Sequence, residues 1–178
     1  MKKITILLFT ILFSYACNNP SAEKESQATE NPGSQTVSKE EINKVLEDWH
    51  AAAAQANFEE YFGLMSGDGI FIGTDATENW QNKEFREFAK PYFDKGKAWS
   101  FTTLERNIYA SKNGETAWFD ELLNTQMGIC RGSGVLEKTT NGWKIKHYVL
   151  SIAIPNENVD EITQIKKEFD STLISKLQ

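Results

Sequence analysis

Apolar and polar positions change period twice along the chain. From Ser38 the apolar residues fall at Ile42, Val45, Leu46, Trp49, Ala52, Ala53 and Ala56, a helical spacing with one buried face. Ser38-Lys39-Glu40-Glu41 before it reads as a capping box. A second short helical piece over Asn57 to Met65 ends at the turn Ser66-Gly67-Asp68-Gly69, and Ile70-Phe71-Ile72 is a short strand. Phe85, Phe88, Ala89 and Tyr92 return to helical spacing, with Pro91 expected to kink or end that helix and Gly96 to stop it. From Ala98 the period is two, which predicts strands over 99–110, 115–126, 130–139 and 143–154. Asn113-Gly114 and Asn141-Gly142 tolerate positive φ and predict tight hairpins, hence antiparallel neighbours. Val159, Ile162, Ile165, Phe169, Leu173 and Leu177 form the stripe of a last amphipathic helix, which either packs on its own domain or meets another subunit. Helices followed by a meander make the fold class α+β, with helices covering one face of the sheet.

The ends read differently. Lys2-Lys3, an apolar run over 4–13 and Ser14-Tyr15-Ala16 form a secretory signal over 1–16, since the run is too short to span a bilayer. With Cys17 following, the segment resembles a bacterial lipoprotein signal, which implies cleavage before Cys17 and its lipidation. Plain secretion with an unmodified thiol is the alternative. Residues 17–37 carry almost no large apolar side chain, so burial cannot offset their ordering entropy, and they read as a tether. The expected layout is therefore signal 1–16, lipidated tether 17–37, domain 38–156 and helix 157–178. The expected location is outside the cytoplasm, held to a membrane through the lipid anchor.

Composition narrows the function classes. The 178 residues hold 25 acidic and 19 basic side chains, a net charge of −6 that argues against a nucleic-acid partner. Two Cys and two His give neither a disulfide framework nor a recognisable metal set, so no metal is expected. No dinucleotide or phosphate-loop signature is present, and no cofactor is expected.

Tyr61-Phe62, Phe71-Ile72-Gly73-Thr74-Asp75, Pro91-Tyr92-Phe93, Ala117-Trp118-Phe119-Asp120-Glu121, Cys130-Arg131-Gly132-Ser133-Gly134-Val135-Leu136 and Trp143-Lys144-Ile145 occur in one order. Together with the element order they resemble the SnoaL-like branch of the nuclear transport factor 2 superfamily, from about Ile42 to Asn156. The resemblance implies an NTF2-like cone: a curved antiparallel sheet wrapped around the N-terminal helices, enclosing a mostly apolar cavity. The superfamily includes isomerases, cyclases, dehydratases, ligand-binding modules and dimerisation domains, so it leaves the activity open.

Candidate chemistry follows from strand alternation. Glu121 shares a face with Ala117, Phe119 and Leu123, which points it into the cone, and Asp120 points away unless a bulge intervenes. A carboxylate in an apolar cone could act as general base or acid, with His147 as partner. The other reading is an ion pair of Glu121 with Arg106 or Arg131. Arg131, beside small Gly132-Ser133-Gly134, is either an anion anchor or part of that pair. His147 falls on the apolar Trp143, Ile145 and Val149 face by simple alternation. His50, Asn57, Tyr61, Trp99 and Phe119 are candidates to line the pocket. Asp75 is expected to cap the next segment, Trp80 and Trp118 to wall a pocket or fill the core, and Cys130 to be a buried small hydrophobe. Three functions stay open: binding a small, partly apolar and perhaps anionic molecule, cofactor-free proton transfer, and a homodimer module without catalysis.

Overall fold

The computed structural model describes residues 37–178, so Cys17, the expected signal and the expected tether up to residue 36 lie outside the described residues. Helix α1 spans Lys39–Ala54 and α2 spans Phe58–Gly63. Strand β1 spans Met65–Ile72, β2 spans Asn79–Gln81 and α3 spans Asn82–Asp94. Then come β3 over Thr102–Ala110, β4 over Thr116–Thr125, β5 over Gly128–Thr139, β6 over Gly142–Ile152 and α4 over Val159–Leu177.

The strands form one curved, unclosed sheet in the order β2-β1-β6-β5-β4-β3. β3 to β6 are the antiparallel meander that the Asn-Gly turns predict; Gly114 and Gly142 take φ of 72° and 94°, the left-handed region. β1 instead runs parallel to β6. The turn expected at 66–69 is an irregularity inside β1: Met65 pairs with Ile145, and Ile70 with His147, two residues on in β6. Ser38 caps α1 as expected, accepting the Glu41 amide at 3.3 Å, but its hydroxyl donates to Glu40, not Glu41. Pro91 stays inside α3, which runs on to Asp94 before Gly96 turns with φ of 69°.

The core is the space between the concave side of the sheet and α1, α2 and α3. Ile42, Leu46, Trp49 and Ala53 from α1, Tyr61 and Phe62 from α2, and Phe85, Ala89 and Phe93 from α3 pack against Phe119, Leu123, Leu136, Ile145 and Tyr148. Trp49 stacks on Tyr61 at 4.9 Å and meets Tyr148 edge-on at 4.8 Å, the two arrangements that ring quadrupoles favour. Cys130 is fully buried. Helix α4 stands apart from this core. None of its residues is buried, and Ile165 is 72% exposed.

Candidate functional site

The polar centre of the cone is Glu121, which is 1% exposed. Alternation along β4 puts it inside with Ala117, Phe119 and Leu123, as the sequence indicates. Both carboxylate oxygens are occupied. Arg106 of β3, opposite Glu121 in the register, donates to Oε2 from Nε at 2.9 Å, and its Nη2 lies 2.8 Å from the same oxygen in an ion pair. Oε1 accepts from His50 Nε2 at 2.9 Å and from the Tyr148 hydroxyl at 3.1 Å. A carboxylate only accepts, so His50 carries a proton on Nε2 in this contact. Arg106 spends its other donors on Asn43 Oδ1 at 2.7 Å and Thr103 Oγ1 at 2.9 Å. The guanidinium thus ties β3, β4 and α1 together.

Burial by itself would raise the Glu121 pKa, but the His50 bond and the His50 and Arg106 charges outweigh it and hold the carboxyl below its ordinary range. Tyr148 moves the opposite way: burial, then the neighbouring Glu121 charge, push its hydroxyl well above the usual phenol value. Gly132 faces Glu121 across β4–β5, and a Cβ there would overlap the Tyr148 hydroxyl and come within 2.9 Å of Glu121 Cγ. The small residue in the Arg131-to-Gly134 run therefore makes room for the carboxylate cluster.

The remaining candidates separate. His147 does not lie on the inner face. Leu136 pairs with Ile145 and Val135 with His147, so Lys146 is an extra residue in β6. This bulge reverses the alternation: Trp143 and Ile145 are buried before it, Tyr148 and Leu150 after it. His147 and Val149 accordingly face outward, and Tyr148 takes the inward place. Two consecutive polar residues, Lys146-His147, are the sequence signal that simple alternation overlooks.

Arg131, paired with Leu122 and Ser151, is exposed on the outer face, away from Glu121. Asp120 is also outside and accepts from Asn107 at 3.2 Å. Asn57 is an exposed N-cap of α2, bonded to Glu60, and does not line the cone. Asp75 accepts from the Thr77 amide at 2.8 Å and the Thr77 hydroxyl at 2.6 Å, closing its own turn. Trp118 is 45% exposed outside, stacked on Tyr109. Tyr61, Phe119 and His50 are inside, but they fill the space they were expected to line.

Between the sheet and α3 a slot of about 190 Å³ is open. Its walls include Phe71, Trp80, Phe85, Phe88, Trp99 and Phe101, with Glu78, Thr74, Gln126 and Met127 at the rim. Of the expected pocket residues only Trp99 lines it, together with Trp80. His50 approaches through Phe101, 5.8 Å away edge-on. Among the described residues no group of His, Cys, Asp and Glu is placed to hold a metal ion, and no helix is long and apolar enough to cross a membrane.

The SnoaL-like domain family matches residues 42–155. None of the curated proteins matches. An NTF2-like protein of unknown function from Pseudomonas putida KT2440 is similar in structure, with a TM-score of 0.57, 12% identity, and coverage of 67% of this chain and 89% of that one. A protein of unknown function with a cystatin-like fold from Nostoc punctiforme PCC 73102 gives 0.53 at 14% identity, over 65% of this chain and 90% of that one. The C. elegans CaMKII association domain gives 0.53 at 21% identity, over 64% and 95%. These likenesses concern the fold alone.

Proposed function

The chain belongs to the SnoaL-like domain family, and on that premise we propose that its domain binds a small, largely apolar molecule in the aromatic slot between the sheet and α3. One observation carries the preference for binding over proton transfer. Glu121, the inward carboxylate, is saturated by Arg106, His50 and Tyr148 and is sealed from the slot. A general base has to reach the proton it takes. Glu121 reaches none outside its own cluster, and Asp120 and His147 face the other side of the sheet. The cluster in this reading locks the sheet to α1 and so shapes the slot.

Mass spectrometry of the purified full chain tests this, with Thr74→Trp as the comparison because Thr74 lies at the slot rim. The wild type is expected to retain a small molecule that Thr74→Trp loses. Equal retention, or none in either, overturns the reading.

Two further features join the proposal. Lipidation at Cys17 holds the domain to a membrane outside the cytoplasm, supported by the sequence of residues 1–17. The outer sheet face, where Tyr109, Trp118 and Ile129 are exposed, pairs with a second copy of the chain. The likeness to an association domain supports that pairing.

A further inference from the structure

Four of the rings that line the slot are near-parallel to Phe85. Phe85 lies within 15° of Phe71 and within 18° of both Trp80 and Phe88, and its angle to Trp99 is 23°. Exposed ring faces accept a flat guest by offset stacking. The volume of about 190 Å³ sets the size. A cavity of about 150 Å³ holds one benzene ring, and sites for drug-sized ligands begin at about 300 Å³. One or two fused rings fill this space, and a larger skeleton would extend out of it into solvent.

The rim fixes the charge. Among the described residues that line the slot, Glu78 is the one charged side chain, and none is Lys, Arg or His. Glu78 is half-buried, and its Oε2 accepts the Asp75 amide at 3.2 Å. No cation pairs with it among the described residues. Its carboxylate folds over Gly73, where any Cβ would overlap Oε2. The basic residues that could have met an anion are elsewhere: Arg106 is consumed by Glu121, and Arg131 is on the outer face. The whole chain carries −6, which further disfavours an anionic guest.

We propose that the slot selects a flat one- or two-ring molecule bearing a positive charge, stacked on the aromatic walls with its cation against Glu78. The proposal rests on the small-molecule reading above and replaces the anionic end expected from the sequence with a cationic one.

Three probes share one ring system and differ in charge: tryptamine, indole and indole-3-acetate. Titrated calorimetrically into the full chain, tryptamine should bind about tenfold tighter than indole, through the carboxylate and the ring faces, and indole-3-acetate should bind weakest. Glu78→Gln should bring tryptamine down to the indole level and leave indole unchanged. Met127→Lys, on the exposed rim turn, should invert the order of tryptamine and indole-3-acetate, and it serves should Glu78→Gln fail to fold. Indole-3-acetate binding as tightly as tryptamine overturns the charge assignment and leaves the slot as a binding site. No binding by any probe overturns the flat-guest proposal, and retention of a different molecule by the wild type alone would still uphold the small-molecule reading.

Discussion

His50 in α1 and Glu121 in β4, 71 residues apart in sequence, meet at 2.9 Å in the centre of the cone. The contact joins the first helix to the middle of the sheet, and it removes from chemistry the one fully buried carboxylate among the described residues. A group held by three hydrogen-bond donors and shielded from solvent is a structural anchor, and its titration becomes a property of the fold.

Glu121→Gln should therefore destabilise the domain by about 3–5 kcal/mol, because it leaves the Arg106 guanidinium buried without its anion. The pH dependence has a definite sign. Glu121 has a native pKa held below its unfolded value, so its contribution is complete above that value and is lost as pH falls through the lower native one. The acid limb of Tm against pH should be steeper for the wild type than for Glu121→Gln. Parallel acid limbs would contradict the anchor role.

Gly132→Ala should cost about 1–3 kcal/mol by overpacking the cluster. Tyr148→Phe removes the hydroxyl that the new methyl overlaps, so in the Gly132→Ala background it should recover part of the loss. Urea denaturation of the four members of this cycle measures the coupling. Additive losses would mean that Gly132 accommodates something other than the Tyr148 hydroxyl.

Arg131→Ala and His147→Gln alter the outer face, and each should change stability by no more than about 1 kcal/mol. Neither should shift tryptamine affinity by more than about twofold, a difference of about 0.4 kcal/mol. Loss of affinity on Arg131→Ala would return that residue to the ligand site.

Trp118→Glu places a charge in the exposed outer patch. Sedimentation should show the wild type as a dimer and Trp118→Glu as a monomer with an unchanged thermal midpoint. A monomeric wild type would leave the patch without its proposed partner.

Cys17→Ser should release the protein from the membrane fraction of cells that make it, read by fractionation and blotting. Retention there would argue for attachment by another means.

The order of elements apart from β2, the hairpin positions, the inward face of β4 and the burial of Cys130 followed from local rules. Periods of 3.6 and 2 assign helix and strand, Asn-Gly sets the turns, and alternation carries a side chain to one face as long as no residue is inserted. Those rules act between near neighbours, so one chain is enough to read them. Local reasoning also narrowed the partner of Glu121 to two arginines. It failed at Lys146, where one extra residue turned His147 outward and Tyr148 inward, because a bulge is defined against the partner strand. The choice of Arg106 over Arg131, the parallel seating of β1 on β6, and the filling of the cone by Trp49, Tyr61 and Tyr148 were decided only in three dimensions. Each depends on which distant segments come to share a volume, and that competition for space is what reduced a presumed hollow to a narrow aromatic slot.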